Sequence, residues 1–319
     1  MRILVSDQNF GDGAELERRL AAEAGVELEV EECSSEDEVA AALARHRPDA
    51  LLVQFASVGR RALESANGLR AIVRVGIGVD NVDVAAAAER GIAVARVPDY
   101  CIDEVADHTL ALVLAVERHV VELARDTAGG GWSFRAGGPM RRLRGRTLGL
   151  VGFGRIARAV GERARAFGLE VAAHDPLVPD DEIRGAGAEP LPFEELLMRS
   201  DVLSVHVPLT EETRGLIGRS RLALLPPGAV VVNTARGGLV DEYALAEALG
   251  SGRLRGAALD VLVTEPPPGD HPLRALPNLL LTPHAAWYSE EAIVELRRKA
   301  VEAALALLRG ERPSGIVAP

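Results

Sequence analysis

The sequence predicts an α/β fold made of two doubly wound parallel-sheet domains with a cleft between them. Three observations predict it. Short apolar runs alternate with longer amphipathic stretches along almost the whole chain, the pattern of strands joined by helical crossovers. The later apolar runs are nearly unbroken, as central parallel strands covered on both faces must be. At 319 residues the chain also exceeds what one core comfortably fills.

The first series opens with "RILVS" (2–6), "ALLVQ" (50–54), "AIVRV" (71–75) and "IAVAR" (92–96), all read as strands. Stretches 13–24, 35–45 and 83–90 between them carry Ala, Leu and Val at helical spacing. The pattern breaks at "VPDYCIDEV", and 103–126 then reads as one long helix. "AGGGWSFRAGGP" (128–139) is glycine-rich and irregular, hence a loop. A second series follows with "TLGLVG" (147–152), "LEVAAHD" (169–175), "DVLSVHV" (201–207), "GAVVVNT" (228–234), "GAALDV" (256–261) and "NLLLTP" (278–283). The last helix spans about 289–309, with Ser289 as N-cap and Glu290 and Glu291 in its first turn. Two series imply two domains: a discontinuous one over 1–98 plus 286–319, and a continuous one over 99–285.

Composition excludes several function classes. A net charge of -11 argues against a nucleic-acid surface, and the one basic cluster, "RRLRGR" (141–146), reads as a solvated lead-in to a strand. Cys33 and Cys101 are the only cysteines, so neither a disulfide framework nor a thiolate metal cage is expected, and no metal site is predicted. "MRILVSDQNF" turns polar too early for a signal peptide. No apolar run reaches the ~18 residues of a membrane span. A cytoplasmic protein without membrane contact is the expectation.

The stretch opening with "LGLVGFGRIARAVG" carries chemistry. Gly152, Gly154 and Ala157 fall at the G-x-G-x-x-A spacing, after an apolar strand and at the start of a helical pattern. Gly152 permits a tight turn, Gly154 lets backbone approach a pyrophosphate at the helix N-terminus, and Ala157 allows close helix–strand packing. Asp175 ends the next strand, where a carboxylate accepts hydrogen bonds from a ribose and repels a 2′-phosphate. No arginine follows it at 176–178, which favours NAD over NADP. This is the Rossmann dinucleotide fingerprint.

Polar residues then recur at the carboxyl ends of predicted strands: His206, Arg236, Asp260, Glu265 and His284. Ligands bind outside those ends in an open α/β sheet. Each also has a structural reading: Arg236 as a partner of Asp241, Glu265 as a loop charge, His206 as the donor to a backbone carbonyl.

"VRVGIGVDNVD" (73–83), "GFGRIARAV" (152–160), "HVPLTEETRGLI" (206–217), "NTARGGLVDEYAL" (233–245), "AALDVLVTEPP" (257–267) and "TPHAAW" (282–287) resemble the D-isomer-specific 2-hydroxyacid dehydrogenase family. The likeness is collinear from about 72 to 310. "PMRRLRGRTLG" (139–149) and "HAAWYSE" (284–290) resemble its C-terminal-binding-protein branch. The resemblance implies two Rossmann/flavodoxin-like domains, NAD (NADH) as cofactor, a 2-oxo or 2-hydroxy acid as substrate, and a homodimer formed through the nucleotide-binding domain. It places the catalytic set on Arg236, Glu265 and His284. It implies cofactor contacts at Gly152, Phe153, Gly154, Arg155, Ile156, Ala157 and Asp175, then at His206, Val207, Pro208 and Thr213. Further cofactor contacts are implied at Thr234, Ala235, Arg236, Asp260, His284, Ala286 and Trp287. The substrate carboxylate would meet backbone groups of Val75, Gly76, Ile77 and Gly78. Ile77 departs from the polar residue often found there in the C-terminal-binding-protein branch, which removes a side-chain contact and leaves the backbone donors.

Those residue types suit the chemistry. An arginine fork is planar and bidentate for a carboxylate, and a histidine paired with a glutamate is a proton donor near neutrality. Trp287 reads either as a core ring or as a substrate contact favouring sizeable apolar side chains. Two other readings stay open. One is an NAD(H)-sensing binding protein with a corepressor-like role and little turnover. The other is phosphite or phosphoglycerate oxidation on the same scaffold, with Arg74 as a further basic group. Formate oxidation is disfavoured, because formate dehydrogenases of this family carry glutamine where Glu265 stands.

Overall fold

The structure, a computed structural model, describes residues 1–8 and 10–318. It divides into two compact units, Met1–Tyr100 with Ser289–Pro319, and Cys101–Tyr288. The sequence-expected boundaries, 98/99 and 285/286, lie slightly inside these. Asp99 stays with the first unit because Lys299 Nζ donates to its Oδ1 at 2.8 Å. Ala285 and Ala286 stay with the second because both amides bond Asp260. Asn9 and Pro319, inside the expected discontinuous domain, lie outside the described residues.

Unit 1 alternates β1 (Arg2–Val5), α1 (Glu15–Glu23), β2 (Glu27–Val30), α2 (Glu36–His46) and β3 (Ala50–Val53). It continues with α3 (Arg60–Glu64), β4 (Ala71–Arg74), α4 (Val84–Glu89) and β5 (Ala93–Arg96). Unit 2 begins with α5 (Ile102–Glu117), α6 (Val120–Ala128), β6 (Thr147–Val151), α7 (Arg155–Ala166), β7 (Glu170–His174) and α8 (Asp180–Gly185). It runs on through β8 (Glu189–Pro190), α9 (Phe193–Arg199), β9 (Val202–Val205), α10 (Arg219–Leu222) and β10 (Ala229–Asn233). It closes with α11 (Glu242–Gly250), β11 (Leu254–Leu259) and β12 (Leu279–Leu281), after which α12 (Glu290–Leu308) and β13 (Ile316–Ala318) complete unit 1.

Both sheets are doubly wound. Unit 1 has the order β13-β5-β4-β3-β1-β2, parallel except for β13, which runs antiparallel to β5. Unit 2 has the order β12-β11-β10-β9-β6-β7-β8, parallel throughout. Its winding reverses between β6 and β9, and that switch point opens a crevice at the strands' carboxyl ends. The nearly unbroken apolar runs of β9 and β10 are buried at every position, as strands covered on both faces require.

Three strands escape a reading by hydrophobic period. β2, with the sequence ELEV, is an edge strand with only Leu28 buried, so its two glutamates mask it. β8 has two residues and β13 three. The single helix expected over 103–126 is corrected to two. His119 adopts a left-handed backbone, φ 50°, that no continuous helix passes through. The bend follows a buried charge: Glu117 is fully enclosed, bonded to Arg146 at 2.5 Å and paired with Arg255. Arg146, last of the "RRLRGR" cluster, is therefore a buried partner, while Arg141, Arg142 and Arg144 are solvated.

Helix starts follow side-chain capping. Ser35, Asp83 and Asp241 accept from backbone amides of their first turns, and Ser289 accepts from Ala292 N, with Glu290 and Glu291 next to it. Among the described residues no helix is long and apolar enough to cross a membrane.

α12 packs an apolar face on unit 1 and is tied to it by one buried arginine. Arg297 donates to both Glu17 oxygens (2.7 and 2.6 Å) and to both Asp12 oxygens (2.8 and 2.9 Å), and its guanidinium lies 4.9 Å from the Phe10 ring centre. Arg297 and Glu17 are both buried, so truncating one strands the other's charge. Arg297→Met should destabilise the protein by about 3 kcal/mol in urea unfolding. An unchanged midpoint would remove this cluster from the stabilising core.

Candidate active site

The dinucleotide turn follows from β6. Gly152, just past that strand, has φ 89°, a region that L side chains rarely adopt. A Cβ there would lie 2.9 Å from His206 O and from Val207 Cγ1, so only glycine lets this turn pass the segment after β9. Phe153 is buried, and its amide donates to Asp175 Oδ2 at 2.8 Å. Leu177 N donates to Asp175 Oδ1 at 2.9 Å. Two backbone bonds thus aim the Asp175 carboxylate while leaving lone pairs for a ribose. Gly154 precedes α7 without a side-chain cap, and a Cβ built on it meets nothing within 4 Å. Arg155 is exposed, Ile156 half-buried, and Ala157 fully buried against the sheet. The open N-terminal turn, the glycine cradle and the fixed acid fit a pyrophosphate and its ribose.

Across the switch point, His206 Nε2 pairs with Ser204 Oγ at 2.8 Å. Burial pushes the imidazole down to about 4, so it is neutral at physiological pH and is no proton donor there. Thr213 Oγ1 donates to Pro208 O at 2.7 Å and closes the loop that Val207 begins.

The Arg236 turn is built by a residue the sequence reading passed over. Asn233, fully buried, accepts from Ala235 N at 3.0 Å and donates to Arg236 O at 2.8 Å. Its neighbour Thr234 meets Thr109 at 2.9 Å between hydroxyls. Arg236 Nη1 donates to Ala235 O at 2.7 Å. Asp241 caps α11 through the amides of Tyr243 and Ala244. Behind Arg236, a Cβ on Gly237 would be driven into the Leu262 carbonyl carbon, so the turn presses on the segment leading to Glu265.

His284 Nδ1 and Glu265 Oε2 are 2.8 Å apart, and Glu265 Oε1 accepts from Leu262 N at 2.8 Å. Burial alone would raise the Glu265 carboxyl. The His284 and Leu262 hydrogen bonds, with the charges of His284 and Arg236, outweigh it and hold Glu265 below the usual glutamate range. Arg236 is therefore close enough for its charge to act on Glu265.

His284 has φ 53°, a left-handed conformation that costs a non-glycine residue on the order of 1 kcal/mol. Asp260 compensates. Its carbonyl accepts from His284 N at 2.8 Å, and its buried carboxylate accepts from Thr282 Oγ1 (2.5 Å), Ala285 N (2.9 Å) and Ala286 N (2.8 Å). Trp287 is half-buried, its ring edge-on to Tyr288 at 6.0 Å.

Val75, Gly76, Ile77 and Gly78 belong to unit 1. Gly76 has φ 147°, and Arg74 Nη1 occupies the space its Cβ would need, so the guanidinium covers this glycine. Arg96 Nη1 donates to Ile77 O at 3.1 Å. Gly76 N donates to Arg74 O at 2.9 Å, and Val75 N to Val53 O at 2.7 Å.

Unit 2 thus has a Rossmann topology, with Asp175 held beside the glycine turn and a histidine–glutamate pair at its strand ends. Residues 110–286 match the family model for the D-isomer specific 2-hydroxyacid dehydrogenase NAD binding domain, and the chain belongs to that family. It is 41% identical over 84% of its length to a D-3-phosphoglycerate dehydrogenase of Methanocaldococcus jannaschii, covering 51% of that protein. The chain thus spans about half the length of the curated relatives it matches. Its fold matches a crystal structure of a Thermus thermophilus protein, with TM-score 0.87, 39% identity and full coverage of both chains. It also matches D-lactate dehydrogenase of Aquifex aeolicus complexed with NAD and lactic acid, with TM-score 0.89, 25% identity, and coverage of 100% of this chain and 99% of that one.

The cofactor is NAD. Gly152→Ala should weaken NADH binding at least ~10-fold, because the added methyl meets His206 O and the backbone is already left-handed. Fluorescence titration measures it, and an unchanged dissociation constant would detach the turn from the cofactor.

Proposed function

We propose that the chain is an NAD-dependent oxidoreductase interconverting a 2-oxo acid and a D-2-hydroxy acid. The observation carrying this is the 2.8 Å His284–Glu265 pair within reach of the Arg236 charge. Bound nicotinamide supplies or accepts the hydride. The rest falls to the chain. Arg236 anchors the carboxylate with its fork and polarises the neighbouring carbonyl as negative charge grows on oxygen. His284 gives a proton to that oxygen in reduction and takes it back in oxidation, with Nδ1 held by Glu265 so that Nε2 faces the reacting group. Glu265, held ionised, steadies the imidazolium.

For the substrate, the named relative of Methanocaldococcus jannaschii favours a phosphorylated 2-hydroxy acid, D-3-phosphoglycerate, as the first compound to test. The second reading, an oxo acid with an apolar side chain, rests on half-buried Trp287. The C-terminal-binding-protein-like branch finds no support among these relatives.

Activity is read by NADH absorbance with D-3-phosphoglycerate and with a panel of 2-oxo acids. His284→Ala should lose at least ~100-fold in kcat while NADH still binds. Glu265→Gln removes the carboxylate that orients Nδ1 and steadies the imidazolium, so kcat for reduction should fall at least ~10-fold while NADH still binds. Wild-type turnover in His284→Ala would sink the assignment. Failure of D-3-phosphoglycerate alone would overturn only the substrate.

We further propose a homodimer through unit 2. α6 is amphipathic yet buries none of its residues, and Val120, Trp132 and Phe134 on and beside it are 53%, 91% and 79% exposed. Such a run of large apolar side chains fits a second copy of the chain. In sedimentation velocity the wild type should run as a dimer, and Trp132→Ser with Phe134→Ser as a monomer. A wild-type monomer at micromolar concentration would overturn it.

A further inference from the structure

Two consecutive residues of α5, His108 and Thr109, reach the ends of two different strands in unit 2. Thr109 Oγ1 donates to Val105 O at 2.7 Å and lies 2.9 Å from Thr234 Oγ1. Its one hydroxyl proton is committed, so Thr234 donates to it, which fixes the turn that carries Arg236. His108 Nε2 lies 3.1 Å from Thr282 Oγ1, and Thr282 Oγ1 lies 2.5 Å from Asp260 Oδ1. An ionised carboxylate only accepts, so Thr282 gives Asp260 its proton. Thr282 Oγ1 can then only accept, and the donor is His108 Nε2–H.

We propose that His108 is a positioning residue for the proton-transfer centre, acting through Thr282 and Asp260 on the backbone of His284. The proposal rests on the reading of His284 as acid and base. Every link is directional: His108 donates to Thr282, Thr282 to Asp260, and Asp260 in turn receives the amides of Ala285 and Ala286. These two amides follow His284, whose left-handed φ of 53° is the conformation they must hold. Asp260 is fully buried, so it has no water to replace a lost donor. With Thr282 unfixed, its hydroxyl would turn away, and one of the three donors that keep Asp260 aimed at 285–286 would go. His108 Nε2 is also 3.6 Å from Asp260 Oδ1, close enough to add a direct attraction when the ring is protonated. The ring, 27% exposed, is thus neither a core filler nor a free surface group. It is an element of α5 that reads out onto the same strand end as the acid.

The test compares the full chain with His108→Leu, His108→Gln and Thr282→Val. Glutamine keeps an N–H donor at about the reach of Nε2, whereas leucine keeps only bulk. Amide hydrogen exchange over 283–288, measured without cofactor or substrate, should speed up about 10-fold in His108→Leu and Thr282→Val. In the same two variants kcat for oxo-acid reduction should fall about 5- to 20-fold with KM within about 2-fold, because Arg236 still binds the carboxylate while the acid is misplaced. His108→Gln should return both readouts to within about 2-fold of wild type. Unchanged exchange in His108→Leu would overturn the proposal, as would equal impairment of the leucine and glutamine variants. Should His108→Leu fail to fold, Thr282→Val decides by the same two readouts. If the wild type reduces no 2-oxo acid, the exchange result still judges the positioning role, and only the functional reading fails.

Discussion

Asp260 is the constraint from which the geometry of unit 2's ligand edge follows. It sits just past β11, its amide donates to Asn233 O at the end of β10, and its carbonyl and carboxylate receive the chain that leaves β12. One buried residue therefore locks three strand ends into a fixed register. Enclosing a carboxylate costs several kcal/mol unless its lone pairs are filled, and here one hydroxyl and two amides fill them. The segments cannot slide past one another without leaving that charge unpaired. The left-handed backbone of His284 persists because the alternative is worse.

The neighbouring loop is restrained by the same logic with different groups. Glu242, buried at the start of α11, accepts from Val263 N at 2.6 Å and pairs with His271 Nε2 at 3.0 Å. It therefore grips the 262–272 segment on both sides of Glu265. What remains accessible is the chemistry itself: the side chains of Glu265 and His284 are 37% and 32% exposed. Rigid, enclosed backbone beneath partly open side chains is the division a catalytic edge needs. A proton must move at the tip while its donor's position does not.

Features carried by short spans of sequence were legible beforehand, and features carried by contacts across the chain were not. Apolar runs such as "VLSV" and "AVVVN" are wholly buried strands, and Ser289 caps its helix. The glycine turn and Asp175 meet because strand β6, its turn and strand β7 form one local unit. By contrast, the break at His119 depends on Glu117 finding Arg146 and Arg255, which no helical period encodes. The edge strand β2 has too few apolar residues to announce itself. The Arg236, Glu265 and His284 set was readable from residues only as polar groups at strand ends, and the family resemblance supplied their roles. Asn233, Thr282 and His108 gave no signal, since one asparagine, one threonine and one histidine become informative only when folding brings residues 108 and 282 within 3.1 Å.

The glycines separate what the fold demands from what a ligand demands. Gly152 and Gly237 are required by the protein itself, since a Cβ on either would strike backbone atoms of His206 or Leu262. Those collisions bring the first turn against the segment after β9, and the Arg236 turn against the Glu265 loop. Gly154 differs: its φ of -72° suits any residue, and its Cβ would meet no protein atom. Nothing in packing or conformation asks for glycine there. The demand we propose is the close approach of a pyrophosphate to the first turn of α7, where a methyl would hold the phosphates off the amides. A residue that the fold would let vary, and that cofactor binding does not, marks where stability ends and function begins.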